Sequence, residues 1–144
     1  MKRIVDEHEW QEVADELLNL AEKNKSETGA TIITLSGTLG AGKTTFTKAF
    51  AKVLGVKSRV SSPTFILMKF FALPKDAPWK QLIHIDAYRL EKPEEILAIG
   101  WENYAIDSDN LMVIEWPEQI KKLLPKGVIS VKLAYVGNRR SISF

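Results

Sequence analysis

The chain has 144 residues, of which 45% are hydrophobic and 26% charged, and its formal net charge is +2. This length and composition allow a buried core, and the lack of cysteine excludes disulfides and thiolate metal sites. The small charge does not by itself indicate a nucleic-acid-binding surface, and no apolar stretch is long enough to span a membrane. Asp6 and Glu7 follow within four residues of Met1-Lys2-Arg3, so no secretory signal is expected, and we predict one cytoplasmic domain over residues 1–144.

The first predicted element is an amphipathic helix over residues 6–23, followed by a strand over residues 31–36 and a helix from Lys43 to Leu54. The first helix has its apolar residues on one stripe, and the strand is apolar and β-branched. The second helix also has apolar residues at helical spacing, and Gly55 follows its last apolar residue as a cap.

The segment between that strand and that helix matches the phosphate-binding (Walker A) pattern G-x-x-x-x-G-K-[ST]. It consists of Gly37, Thr38, Leu39, Gly40, Ala41, Gly42, Lys43 and Thr44. Gly37 and Gly42 can adopt backbone angles that let the loop curl and point its N–H groups inward, and the helix that follows favours negative charge at its start. The sequence therefore predicts a nucleoside triphosphate site, with Lys43 reaching the β- and γ-phosphates and Thr44 giving its hydroxyl to magnesium. Thr45 either contacts an α-phosphate or only begins the helix.

The middle of the chain reads as a polar turn over residues 61–64, a strand over residues 65–71, a loop over residues 74–79 and a strand over residues 82–86. The loop is predicted to join two antiparallel strands. Thr64 in the turn is either a threonine that senses the γ-phosphate or an ordinary turn residue.

The remaining elements complete an α/β pattern. They are a short helix over residues 93–99, a buried strand over 111–115, a helix from Pro117 to Leu124, and strands over 129–135 and 140–144 joined by a turn at Gly137-Asn138. Strands interleaved with helices predict an α/β layer fold with a mainly parallel central sheet, and the final hairpin is predicted as an antiparallel edge.

Two acidic residues end apolar strands, Asp86 after LIHI and Glu115 after LMVI. In open α/β sheets ligands bind at the carboxyl ends of the strands, and an acid in this position holds magnesium or polarises water, as in the Walker B motif. Solvated strand-end carboxylates are the alternative. His84 faces the same side as Asp86, but most such histidines are packed and hydrogen-bonded. Trp116 either covers the site or belongs to the core.

The sequence after the glycine-rich loop indicates which class of nucleotide-binding protein this is. No N-K-x-D guanine-reading motif follows it, and about a hundred residues leave little room for the lid and second pocket of a nucleotide kinase. An ATPase with a minimal domain remains. The positive charge that stabilises the transition state of such an ATPase could come from Arg59, Arg89, Arg139, Arg140 or a partner protein. The sequence selects none of them.

Four motifs occur in an order and spacing that resemble the TsaE (YjeE) family, the bacterial ATPase subunit of the tRNA threonylcarbamoyladenosine machinery. They are GTLGAGKTTF from Gly37, SPTF from Ser62, HIDAYRL from His84 and EWPE from Glu115. The loop is generic, whereas the last two motifs together are specific, and the resemblance spans nearly the whole chain. Thr38 stands where the family usually has Asp, which the loop tolerates because it uses backbone N–H groups there.

The resemblance implies a P-loop NTPase fold around one ATP and one Mg²⁺. It implies that Thr44 and Glu115 serve the metal, that Asp86 and Glu115 are needed for hydrolysis, and that Glu7 and Arg139 flank the nucleotide. It further implies weak hydrolysis that partners stimulate. The implied partners are TsaB and TsaD, with TsaD modifying adenosine 37 of tRNAs that read codons beginning with A. A nucleotide-responsive binding subunit and a small-molecule kinase are the alternatives.

Overall fold

The computed structural model describes residues 2–58 and 67–144. Several predicted features lie outside these ranges: the polar turn with Thr64, the SPTF motif, Arg59 and the start of the strand predicted from Phe65. Within the described ranges, no helix is both long and apolar enough to cross a membrane.

The described residues form seven strands, three α-helices and three 3₁₀ segments. The strands are β1 (Lys2–Val5), β2 (Thr31–Ser36), β3 (Met68–Ala72), β4 (Gln81–Asp86), β5 (Asn110–Glu115), β6 (Ile129–Val136) and β7 (Arg139–Ser143). The α-helices are α1 (Trp10–Lys23), α2 (Lys43–Val53) and α3 (Trp101–Ala105), and the 3₁₀ segments are Glu7–Glu9, Pro93–Ile99 and Pro117–Leu123.

The strands form one mixed sheet in the order β1-β7-β6-β2-β5-β4-β3. Its central strands β6, β2, β5 and β4 are parallel, with Leu35 of β2 opposite Glu115 of β5, and Glu115 opposite Asp86 of β4. The pairs β1–β7, β7–β6 and β3–β4 are antiparallel. The prediction of an α/β fold with a parallel centre and antiparallel edges, including the C-terminal hairpin, is confirmed. The register also brings the ends of β2, β4 and β5 to one edge of the sheet.

Each face of the sheet is covered by a different apolar layer, because neighbouring side chains of a strand point to opposite faces. Ile33 and Leu35 of β2 pack with α1 and α2, including Phe46 and Phe50. Ile32, on the other face, packs with the buried residues of β4, β5, α3 and the later 3₁₀ segments. The stripe predicted on the first helix is buried against the first layer, except that Leu18 is only partly buried.

Some elements differ from the sequence-based prediction. The first α-helix begins at Trp10 and not at residue 6, because residues 7–9 form a 3₁₀ turn in which the Glu9 side chain accepts the Asp6 N–H at 2.6 Å. The segment Pro117–Leu123 is 3₁₀, with non-helical angles at Ile120, and not a regular helix. Strand β1 and helix α3 were not predicted, since four and five residues are too few to show a hydrophobic period.

Candidate active site

The glycine-rich loop connects the end of β2 to the start of α2, as its pattern predicts. Gly37, Gly40 and Gly42 have φ of 153°, 80° and 103°, and Gly42 is the N-cap of α2. A Cβ at Gly37 would lie 2.3 Å from the Leu133 carbonyl oxygen of β6. The loop therefore passes so close to the neighbouring strand that only glycine fits at its first position.

The Lys43 side chain folds back over the loop. Its Nζ donates hydrogen bonds to the carbonyl oxygens of Gly37 at 2.6 Å and Thr38 at 2.9 Å, and it lies 4.1 Å from the centroid of the Trp116 ring. Only 5% of Lys43 is exposed. The ammonium group is thus held at the loop by two acceptors and one aromatic face, a cation–π arrangement.

The surroundings of Lys43 shift the pKa of its ammonium group. Burial lowers the pKa of its ammonium, and the carboxylates of Glu115, Glu118 and Asp86 oppose this by favouring the charged form. A further anion beside Nζ would favour the charged form in the same way. The loop is therefore suited to an anionic ligand.

Glu115 lies at the end of β5 and connects the sheet to the loop. The Thr44 hydroxyl donates to its carboxylate, 3.2 Å from Oε1 and 3.4 Å from Oε2. On the other side, His84 Nε2 lies 2.5 Å from Oε2, and both residues are buried, with 0% of His84 and 2% of Glu115 exposed. The structure thus brings the predicted metal pair, Thr44 and Glu115, into direct contact although 71 positions separate them in sequence.

Asp86 ends the neighbouring strand β4 and is half-buried. Its Oδ1 accepts the backbone N–H of Tyr88 at 3.0 Å, and the next residue, Ala87, donates its N–H to the carbonyl of Glu115 at 3.0 Å. The two acids that end apolar strands are therefore neighbours at one edge of the sheet.

Trp116 follows Glu115 with φ 59° and ψ 54°, and among the described residues it alone, glycine apart, has a positive φ. Such angles are uncommon for a bulky residue and occur where the surrounding structure imposes them. The turn places the indole between Lys43 and Tyr88, whose ring centroid is 5.0 Å away. Of the two readings left open for Trp116, the structure favours proximity to the site.

These residues line a cavity of ≈ 510 Å³, within the size range of small-molecule sites. The predicted residues on its wall are Leu39, Gly40, Gly42, Lys43, Thr44, Thr45, Asp86 and Glu115. Gly37, Thr38 and Ala41 lie in the same loop without lining it. Arg89, one of the arginines named from the sequence, also lines the cavity. Tyr88 and Glu95 line it as well but were not predicted there; Tyr88 follows β4 in a loop whose path no periodicity reveals, and Glu95 lies in the 3₁₀ segment Pro93–Ile99.

Glu7 and Arg139 are not among the described residues that line the cavity. Glu7 is exposed in the first 3₁₀ turn, and Arg139 pairs with Asp6 at 2.9 Å and with Glu9 at 3.6 Å. Their role beside a nucleotide stays a prediction.

The neighbouring Arg140 lies closer to the loop. Its guanidinium is 3.8 Å from the ring centroid of Tyr135, whose hydroxyl donates to the Gly40 carbonyl, and its Nε lies 3.9 Å from the position of a Cβ on Gly42. Because residues 139 and 140 point to opposite faces of β7, only one of them can face the loop. Four arginines were candidates for stabilising transition-state charge. Of these, Arg89 lines the cavity, and Arg140 lies next to the loop without lining the cavity.

The residues at this edge fit a phosphate ligand and a hard cation. Backbone N–H groups, a helix N-terminus and an ammonium suit phosphate oxygens, and a hydroxyl next to a carboxylate supplies the oxygen ligands that Mg²⁺ prefers. The buried Glu115 carboxylate would be costly without positive charge or hydrogen bonds around it.

Comparison with known proteins gives one consistent result. A family model described as "Threonylcarbamoyl adenosine biosynthesis protein TsaE" matches residues 4–142. The chain is 35% identical over 113 residues to the tRNA threonylcarbamoyladenosine biosynthesis protein TsaE of Haemophilus influenzae, covering 78% of this chain and 68% of that protein. It is 44% identical over 103 residues to the protein of the same name from Aquifex aeolicus, covering 65% of this chain and 74% of that protein.

A solved structure has the same architecture. The crystal structure of Bacillus subtilis YdiB superposes with a TM-score of 0.70 at 28% sequence identity, covering 99% of this chain and 82% of that chain.

Proposed function

The chain belongs to the TsaE family, and we propose that it is a magnesium-dependent ATPase that supports formation of threonylcarbamoyladenosine at position 37 of tRNAs reading ANN codons. The proposal includes a P-loop NTPase fold and a location in the cytoplasm. It also includes TsaB and TsaD as the partners of the chain. The observation that carries it is the contact between Thr44 of the glycine loop and Glu115 at the end of β5. This contact joins the phosphate-binding and metal-binding halves of an NTPase site.

ATP binding is assigned to the loop and to Lys43. The backbone N–H groups of the loop and the N-terminus of α2 would bind the phosphates, and Lys43 would exchange its carbonyl partners for β- and γ-phosphate oxygens. The cavity of ≈ 510 Å³ beside the loop has room for a small-molecule ligand.

Magnesium would be held by the hydroxyl of Thr44 and the carboxylate of Glu115. When bound, the ion neutralises charge that develops on the phosphates. Thr44 can donate its proton to Glu115 while its oxygen lone pairs remain free for a cation. The hydrogen bond between them is therefore compatible with metal binding.

Orientation of the attacking water is assigned to Asp86 in preference to Glu115. Glu115 accepts hydrogen bonds from both His84 and Thr44 and is almost fully buried, whereas Asp86 is half-buried and lines the cavity. A carboxylate in this position accepts a hydrogen bond from water and directs its lone pair. Transition-state charge would be met by Lys43 and by an arginine, with Arg89 in the cavity wall as the chain's own candidate.

The test is phosphate release from ATP, measured for the chain alone and with TsaB and TsaD, in the presence of Mg²⁺ or EDTA. We expect slow release alone, faster release with both partners, and none in EDTA. Release that is insensitive to EDTA, or absent with and without partners, would refute the ATPase proposal. The contact with tRNA is proposed to be indirect, through the partner complex.

The same assay separates the two alternatives. A subunit that only responds to nucleotide would bind TsaB and TsaD in an ATP-dependent way without releasing phosphate. A small-molecule kinase would transfer the γ-phosphate of labelled ATP to an acceptor, and no free phosphate would accumulate.

A further inference from the structure

The function proposed above assigns no role to His84 itself, although His84 contacts the buried carboxylate of Glu115. His84 is fully buried on β4, its Nε2 lies 2.5 Å from Glu115 Oε2, and no described residue offers a hydrogen-bond partner to its Nδ1. A buried polar atom without a partner is unfavourable. An apolar side chain would fill this position without that cost, but it could not donate a hydrogen bond to Glu115.

The chemistry of the pair fixes the direction of the bond. An ionised carboxylate can only accept hydrogen bonds, so His84 Nε2 must carry the proton and Nδ1 the lone pair in the neutral ring. Because both residues are buried, this hydrogen bond is excluded from water and restricts the carboxylate.

The bond also selects which Glu115 oxygen faces the loop. Oε2 is bound by His84, while Oε1 is the nearer acceptor for Thr44 at 3.2 Å. Without His84 the carboxylate would keep only the longer hydrogen bond from Thr44 among its contacts with the described residues, and the nearby ammonium of Lys43 would attract it.

We propose that His84 is a positioning residue that fixes the Glu115 carboxylate beside Thr44 by donating from Nε2, so that Oε1 is presented to Mg²⁺. This inference rests on the proposed magnesium site. Groups that orient a metal-ligating side chain commonly contribute about 10–100-fold to metal affinity or activity.

Two variants form a matched pair, because a glutamine amide nitrogen lies near the position of Nε2 and an asparagine amide nitrogen near that of Nδ1. Isothermal titration would measure ADP affinity with Mg²⁺ and with EDTA. We expect His84→Asn to lose about 10–100-fold of the enhancement of ADP binding by Mg²⁺ and His84→Gln to keep most of it, with equal affinities in EDTA. A purely structural role predicts no rescue by glutamine, so equal loss in both folded variants, or loss in neither, would overturn the inference.

The wild-type protein gives an independent measurement if a variant does not fold. The chain has two histidines, so the ¹⁵N resonances of His84 can be assigned against His8. We expect a proton on His84 Nε2, and its resonance should shift when Mg²⁺ is added to the ADP-bound protein. A ring with its proton on Nδ1 alone cannot donate to Glu115 and would overturn the inference. Failure of the wild-type protein to bind ADP would instead refute the proposed function. The position of the proton on the His84 ring would still show whether His84 donates a hydrogen bond to Glu115.

Discussion

Replacing Gly37 by alanine tests whether the close approach between the loop and β6 is as tight as the structure indicates. The added Cβ would lie 2.3 Å from the Leu133 carbonyl oxygen and 3.3 Å from the Ala41 Cβ. Carbon–oxygen contacts in proteins rarely fall below about 3.3 Å, so loop and strand would have to separate by about 1 Å. The obstacle is backbone, held by pairing of β6 with β2, and cannot rotate away as a side chain would.

The magnitude follows from two terms. Left-handed angles cost a non-glycine residue about 1–2 kcal/mol, and an overpacked site costs typically about 1–3 kcal/mol more. Gly37→Ala should therefore lower the free energy of unfolding by about 2–5 kcal/mol. Gly127→Ala is the control, because Gly127 also has a positive φ, 87°, but a Cβ there would meet nothing within 4 Å. It should cost only about 1–2 kcal/mol.

Urea unfolding followed by circular dichroism would measure both free energies, and titration with ADP and Mg²⁺ would measure the effect on the loop. We expect Gly37→Ala to bind ADP weakly and Gly127→Ala to bind it as the wild type does. If Gly37→Ala is no less stable than Gly127→Ala and binds ADP normally, the described loop path is wrong.

The other predictions concern the site itself. Lys43→Ala should abolish most ATP affinity or turnover, and unchanged phosphate release would count against the assignment. Thr44→Val removes the hydroxyl proposed as a metal ligand, so the Mg²⁺ enhancement of ADP binding should fall by at least about 10–100-fold by calorimetry, whereas Thr44→Ser should restore it. Glu115→Ala should still bind nucleotide but lose hydrolysis, and a fully active variant would remove Glu115 from the mechanism. Asp86→Asn should keep Mg²⁺-dependent ADP binding while phosphate release falls by at least about 100-fold, the usual contribution of general base catalysis. Equal losses of ADP binding and phosphate release would contradict the proposal that Asp86 orients the attacking water.

Local sequence was sufficient for much of the candidate site. The glycine pattern, the strand before it and the helix after it are contiguous, and the acids that end β4 and β5 were predicted to share an edge because parallel strands end together. The contact between Thr44 and Glu115 follows from that topology once β2 and β5 are neighbours.

Other features depend on register and side-chain direction, which a single sequence does not give. The partner of His84 depends on which strand lies beside β4, and the hydrogen bond to Glu115 was not predicted. The position of Arg140 against the loop, with Arg139 turned toward Asp6 and Glu9, depends on which face of β7 packs inward. Strand β1 exists because β7 offers it an edge, and its own four residues carry little signal.

Because Lys43 already contacts its own loop, a ligand can bind its ammonium group only by displacing partners that are already there. The ammonium already has two carbonyl acceptors and an indole face inside the protein. A phosphate that reaches it must displace at least part of that set, so the net gain is the difference between two arrangements and not the full strength of the new one. In the proposed site Lys43 would contact two phosphates of ATP but only one of ADP, so we expect ADP to compete less well with the carbonyl partners. In the proposed ATPase we therefore expect this competition to favour release of ADP.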